Sequence, residues 1–187
     1  KSIWSYGHRN QQGLAFHPTT GALWSTEHGP RGGDELNRIV PGHNYGWPVI
    51  THGMNYDGTP MTDRTEQAGM DQPVVQWTPS IAVSGIAFYT GDRFPQWKHH
   101  LFATALAGQQ LLRLEIEGDR VVRQEAIWRG YGRVRDVVNG PDGLLYVPSD
   151  ITQQILRYRN DTLEFVDVFA TFAGGDPTGL AFAPNGD

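Results

Sequence analysis

The sequence contains no cysteine, so disulfide staples and thiolate metal sites are excluded and the redox compartment is left unread. A periplasmic or secreted location is compatible with that composition. It also lacks a signal peptide and any run of about 18 apolar residues able to span a bilayer. The chain opens at Lys1-Ser2-Ile3-Trp4 without an initiator Met and reads as a piece of a soluble protein, cut at both ends. No basic tract is present: the 15 Lys and Arg are scattered against 20 Asp and Glu, giving a net charge of −5, which argues against a nucleic-acid partner. Long helix-forming runs are few. The 23 Gly, 12 Pro and six Trp instead suit many short strands joined by tight turns, an all-β composition.

Several catalytic signatures are missing too. There is no Gly-x-Gly-x-x-Gly, no phosphate-binding loop and no Gly-x-Ser-x-Gly elbow. His8, His17, His28 and His43 do not show the His-x3-His spacing of a helical zinc site, and the adjacent His99 and His100 would point to opposite faces of a strand.

What is present is a repeat. Gly13-Leu14-Ala15-Phe16-His17-Pro18, Gly85-Ile86-Ala87-Phe88, Asp136-Val137-Val138-Asn139-Gly140-Pro141-Asp142-Gly143 and Gly179-Leu180-Ala181-Phe182-Ala183-Pro184-Asn185-Gly186 read as copies of one strand and turn. Strands resume after two of them, at Ala22-Leu23-Trp24-Ser25 and Leu144-Leu145-Tyr146-Val147, and further alternating segments follow at Gln110 to Ile116 and Gln154 to Tyr158. The copies lie 72, 51 and 43 residues apart. The later intervals match one propeller blade of about 40–50 residues, and the first carries a long insertion from Asn44 to Gln76. A β-propeller of four-stranded antiparallel blades is the fold this predicts, as a single partial domain over residues 1–187, with an ordinary sandwich as the alternative.

Two polar loops stand out: Gly7 to Gly13, and Thr26-Glu27-His28-Gly29-Pro30-Arg31-Gly32-Gly33-Asp34-Glu35-Leu36-Asn37. Gly and Pro free backbone carbonyls for a hard cation such as calcium, Asp34 and Glu35 add anionic oxygens, and the Tyr45 region offers another carbonyl. Arg133 and Arg135 alternate across Val134, so in a strand they would form a fork for carboxylates, with Arg9 as a third charge. Trp77, before Pro79, offers a flat apolar wall. Each feature has a plainer reading: a solvated turn, a wet arginine pair, a core tryptophan.

Taken together, Gly7-His8-Arg9-Asn10-x-Gln12-Gly13-Leu14, Glu27-His28-Gly29-Pro30 with Asp34-Glu35-Leu36-Asn37, Asn44-Tyr45-Gly46-Trp47-Pro48 and Arg133-Val134-Arg135-Asp136-Val137 with Pro141-Asp142-Gly143-x-Leu145-Tyr146 resemble the soluble quinoprotein glucose and aldose sugar dehydrogenases. The resemblance implies a six-bladed propeller, about half to two-thirds of it present here. It implies oxidation of aldoses to lactones by pyrroloquinoline quinone over a calcium ion, with electrons passed to an external acceptor. By the same resemblance Gly29 and Pro30 hold the cofactor's calcium, and Glu35 and Tyr45 a second, structural one. Arg9 and Asn10 contact the quinone, Arg133 and Arg135 neutralise its carboxylates, and Tyr56 and Trp77 flank quinone or sugar.

The pattern is departed from in three places. The family's histidine base lies in a blade upstream of the Arg-Asn motif, so no catalytic base is assigned in this chain and the segment alone is expected to be inactive. In the cofactor-contacting loop Ala105-Leu106-Ala107-Gly108-Gln109, Ala107 stands where a Lys is usual, leaving Ala107, Gly108 and Gln109 to contact the quinone through backbone. The blade-like tail over residues 151–187 continues past the family's usual end. A non-enzymatic extracellular propeller that binds protein or glycan is the competing reading, and a lactonase-type calcium propeller a third.

Overall fold

A computed structural model describes residues 3–130, 132–158 and 165–183. Strands β1 (Gln11–Phe16), β2 (Leu23–Glu27), β3 (Asp34–Ile39) and β4 (Val75–Trp77) form the first sheet. The second consists of β5 (Val83–Phe88), β6 (Leu101–Ala105), β7 (Gln110–Glu117) and β8 (Arg120–Arg129). The third comprises β9 (Val138–Asn139), β10 (Leu145–Ser149), β11 (Gln154–Tyr158) and β12 (Phe165–Thr171). Each sheet is an antiparallel meander in chain order, and β1, β5 and β9 lie side by side. These are three blades of a β-propeller whose ring is not closed.

Alternation along the strands builds two cores. Trp24, Leu36, Ile86, Leu101, Ala103 and Leu112 pack between the first and second sheets. Phe102, Leu111, Trp128, Val137, Val147 and Leu156 pack between the second and third. Thus Leu101 and Ala103 face one way and Phe102 the other, the period of two that a strand buried on both faces needs. Each such large side chain contributes about 2–3 kcal/mol over leaving it exposed.

The repeated glycines have a reason in the approach of neighbouring inner strands. A Cβ on Gly13 would stand 2.7 Å from the Ser84 carbonyl oxygen and 2.9 Å from Ile86 N. One on Gly85 would meet the Asp136 side chain and come within 2.8 Å of the Arg135 carbonyl oxygen. Each copy therefore leans on the next at the same point in the repeat. The fourth copy keeps that relation, because Leu180 N–H donates to Asp136 Oδ2 at 3.4 Å. It forms no strand over residues 179–183, however, and its turn at residues 184–186 lies outside the described residues.

Three local expectations are corrected. Residues 133–137 are not a strand: Val134 makes a single bridge to Ser149, because Gly132 bends the chain with φ +96° immediately before it. His99 and His100 follow a 3-10 turn at Pro95–Trp97, and His99 has φ +67°, so no strand alternation separates them. The insertion connects β3 to β4 through residues 40–74, slightly earlier than its predicted bounds. No helix among the described residues is long and apolar enough to cross a membrane.

Candidate functional site

Strand direction decides which loops share an end. β1, β5 and β9 begin at the end where β2, β6 and β10 finish, since Gln11 pairs Glu27, Val83 pairs Ala105, and Val134 bridges Ser149. The segments before β1 and β9 and the turns after β2 and β6 therefore meet at one end of the blades. Arg9, Asn10, Gly29, Pro30, Ala107, Gly108, Gln109, Arg133 and Arg135 all lie there.

Backbone ties hold this end together. Asn10 O accepts from His28 N–H at 2.9 Å, binding the loop before β1 to the Gly-Pro turn. The insertion then straps both: Tyr45 N–H donates to Tyr6 O and Trp47 N–H to Gly7 O, each at 2.8 Å. Arg31 and Met54 exchange both backbone hydrogen bonds at 3.0 Å. Gly7, at φ +74°, has no room for a side chain, since a Cβ would stand 2.6 Å from Gly46 N.

Within this frame the Arg9 guanidinium donates to the carbonyls of His28 at 2.9 Å and Gly29 at 2.7 Å, and to Tyr56 Oη at 3.3 Å. Its carbon sits 5.3 Å from the centre of the Trp47 ring. Among the described residues it makes no ion pair with a carboxylate. A cavity of about 10 Å³, room for one water or ion, brings Arg9, Gly29, Pro30, Glu35 and Tyr45 together.

The Asp34 side chain is fully buried but turned to the backbone, its oxygens accepting Gly29 N–H and Val83 N–H, both at 3.1 Å. Those bonds fix the Gly-Pro turn to the second sheet rather than offering a free anion. Glu35 accepts from Asn37 Nδ2 at 3.0 Å. Burial, reinforced by the nearby Glu27 carboxylate and opposed by the Asn37 bond, raises its pKa to about 7. The buried Tyr45 hydroxyl is committed internally, donating to Arg38 O at 2.6 Å and accepting from Val40 N–H at 2.8 Å.

The remaining predicted residues do not line this small cavity. Arg135 lines an open cavity of about 600 Å³ with Gln12, Ser84, Asp136 and Thr178, beside the inner strands. Arg133 instead lies 3.5 Å from Asp150 Oδ2, so the predicted fork of two guanidiniums is not formed. Ala107 is exposed, Gly108 N–H donates to Ile81 O at 2.9 Å, and Gln109 O accepts from Gly130 N–H at 2.9 Å. Asn10 is exposed and Tyr56 is 75 % exposed. Trp77 is corrected from a free wall to a core residue: it is 8 % exposed, packs between the first two sheets and donates its indole N–H to Gln124 at 3.2 Å.

Sequence reasoning missed Glu27 as a residue with a task of its own. It ends a strand whose last three residues, Ser25, Thr26 and Glu27, are all polar and all buried. A polar run finishing a strand just before His28-Gly29-Pro30 was the available sign.

The turn matches in part the calcium set that the resemblance implies, the carbonyls of Gly29 and Pro30: the Gly29 carbonyl, with that of His28, already faces a positive group, the Arg9 guanidinium. Among the described residues no cluster of three or more His, Asp or Glu could hold a metal, so any calcium would need backbone carbonyls among its ligands.

Comparison with known proteins extends this. A family model described as glucose / sorbosone dehydrogenase matches residues 1–157. The chain is 50 % identical over 151 residues to the aldose sugar dehydrogenase YliI of Escherichia coli (strain K12), covering 79 % of this chain and 41 % of that protein. A crystal structure of a glucose dehydrogenase superposes with TM-score 0.75 at 50 % identity, over 84 % of this chain and 44 % of that one. The PQQ-bound aldose sugar dehydrogenase of Streptomyces coelicolor superposes with TM-score 0.60 at 34 % identity, over 79 % and 39 %. The chain thus spans about two fifths of the length of the curated relatives it matches.

Proposed function

Because the chain belongs to the glucose/sorbosone dehydrogenase family, we propose that it forms part of an enzyme oxidising aldose sugars to lactones with pyrroloquinoline quinone and calcium. The observation that carries this reading is the state of Arg9. Its guanidinium rests on two neutral carbonyls and, among the described residues, pairs with no carboxylate, so its charge is available to an anionic ligand. Arg135, on the open cavity beside the inner strands, is a second cation.

The carbonyls of Gly29 and Pro30 would hold the cofactor's calcium, and the Glu35 carboxylate with the Tyr45 carbonyl a structural ion. Arg9, Asn10 and Tyr56 would bind and orient the quinone, with Arg135 and a re-oriented Arg133 on its carboxylates. The turn at Ala107, Gly108 and Gln109 would border it through backbone, the side chain at Ala107 being too short to reach. Once bound, pyrroloquinoline quinone would supply a hydride acceptor and calcium a Lewis acid. What this chain contributes is binding, orientation and positive potential; the proton from the sugar hydroxyl goes to a base on another part of the full protein. A periplasmic or secreted enzyme handing electrons to an external acceptor completes the reading.

The test uses the full-length protein, purified free of cofactor and titrated with pyrroloquinoline quinone with and without calcium, then supplied with glucose and a reducible dye. Calcium-dependent binding and dye reduction are expected, and Arg9→Ala should weaken binding by about 100-fold, the loss of a bidentate charged contact. Absence of quinone binding in the presence of calcium rejects the reading.

A further inference from the structure

Glu27 ends β2 with 3 % of its surface exposed. Its Oε2 accepts the Arg9 backbone N–H at 2.8 Å, and its Oε1 lies 3.1 Å from His8 Nδ1 and accepts from Asn37 Nδ2 at 2.8 Å. The His8 ring stacks on Tyr45 with centroids 4.6 Å apart, and its Nε2 meets Ser5 Oγ at 2.9 Å. A carboxylate taken out of water is costly unless donors replace its hydration. Here the donors come from two successive residues of the loop before β1 and from the strand behind it.

The choice of partner is the informative part. Glu27 holds the Arg9 peptide N–H and leaves the Arg9 guanidinium on the carbonyls of His28 and Gly29. Pairing carboxylate with guanidinium would have consumed the positive charge. Gripping the backbone fixes where that charge stands and keeps it free for a ligand. His8 makes the grip two-sided, because its ring is itself clamped between Glu27 and Tyr45 of the insertion.

We propose that Glu27 is a positioning residue, which sets the placement of Arg9 and Asn10 toward an anionic quinone without touching it. The inference rests on the reading above that Arg9 contacts the quinone, and it adds a residue to which the resemblance gave no role.

The experiment uses the full-length protein and two variants. Glu27→Gln removes the charge that holds the Arg9 N–H and sets an amide NH2 against one of the three donors, Arg9, His8 or Asn37, whereas Glu27→Asp keeps the charge and withdraws it by one methylene. The first readout needs no quinone: amide hydrogen exchange at Arg9 should rise by about ten-fold in Glu27→Gln with the global unfolding midpoint unchanged. The second is quinone affinity by fluorescence titration in a cycle with Arg9→Ala. Glu27→Gln alone should weaken binding by about ten-fold, yet by less than about two-fold when Arg9 is already Ala, because a positioning effect vanishes with the group it positions. Glu27→Asp should recover part of both effects, and if Glu27→Gln does not fold it carries the same readouts. Unchanged exchange at Arg9, or effects that multiply in the cycle as a general structural role would make them, overturns the proposal. A wild-type protein that binds no quinone overturns the cofactor reading and the orienting role with it, while the exchange result separately decides whether Glu27 tethers the loop.

Discussion

The first two blades share the wording and the register of their inner strands, but their second and third strands diverge toward the end where Arg9 and the Gly-Pro turn lie. Gly13-Leu14-Ala15-Phe16 corresponds to Gly85-Ile86-Ala87-Phe88, and because Phe16 pairs Leu23 while Phe88 pairs Leu101, the rest of each sheet can be aligned by register. Glu27 then corresponds to Ala105, Glu35 to Gln110 and Asn37 to Leu112. The three polar residues of the first blade face the same way as the apolar face that the second blade presses against the first. What differs is the cover. In the second blade that face meets Trp24 and Leu36 of the neighbouring sheet; in the first it meets His8 and Tyr45. One backbone therefore supports either a dry core or a polar hub, and the covering segment decides which side chains are tolerated.

The sharpest way to break that comparison is to move the hub. Ala105→Glu installs the Glu27 side chain at the matching place in the second blade, where Leu112 stands instead of Asn37. An unpaired buried carboxylate there should cost at least about 3 kcal/mol in denaturant unfolding of the full-length protein. A loss under about 1 kcal/mol would mean that the second blade can hydrate this position, and that cover does not control the difference.

The inner strands are where the blades should behave alike. Gly85→Ala drives a methyl group against Asp136 and the Arg135 carbonyl and should cost about 2 kcal/mol by overpacking. Gly21→Ala is the control. Gly21 has φ +69° but open space around it, so its cost should be about 1 kcal/mol of backbone strain. Equal losses in the two variants would show that neighbouring inner strands separate freely.

These contacts explain what was legible in the chain. The repeat wording marked β1 and β5 because a glycine-sized gap recurs at Gly13 and Gly85, where each inner strand touches the next, and a recurring steric need leaves a recurring residue. Gly7 to Asn10 and His28 to Pro30 were legible for a related reason: peptide groups crowd there, and Gly and Pro show it. Glu27 was hidden because its partners, the Arg9 peptide and the His8 ring, are brought to it by a loop 18 and 19 residues away in sequence. Arg133 and Arg135 misled because alternation says where side chains point only in a paired strand, and Val134 has a single bridge. Trp77 misled because nothing local tells a wall from a core; the second sheet buries it.

A smaller effect tests how the two blades are joined. Trp77 donates to Gln124 across the boundary between them, whereas the buried Trp24 indole N–H has no hydrogen-bond partner among the described residues. Trp77→Phe should therefore lose about 0.5–1 kcal/mol that Trp24→Phe does not lose through hydrogen bonding, read as the difference left once their apolar packing terms are matched by thermal unfolding. No difference would indicate that water replaces the bond to the exposed Gln124 at no cost.

The smallest effect is diagnostic by its sign. Asp136 takes the position in the third copy that glycine takes in the other three, and burial raises its pKa, opposed by hydrogen bonds from the Val137 and Leu180 N–H groups. The folded state then holds this proton to higher pH than the unfolded chain does. Between the ordinary aspartate value and the raised one the native state binds more protons, so this group's contribution to stability falls as pH rises through that window and stays low above it. Asp136→Asn has no charge to desolvate and should not show the fall, although it replaces one accepting oxygen with a donor facing Leu180. Measured by urea unfolding at pH 3, 5 and 7, the stability of Asp136→Asn relative to wild type should therefore improve as pH rises. A relative stability that worsens with pH would show that the Asp136 carboxylate is stabilised by its two N–H donors more than it is penalised by burial.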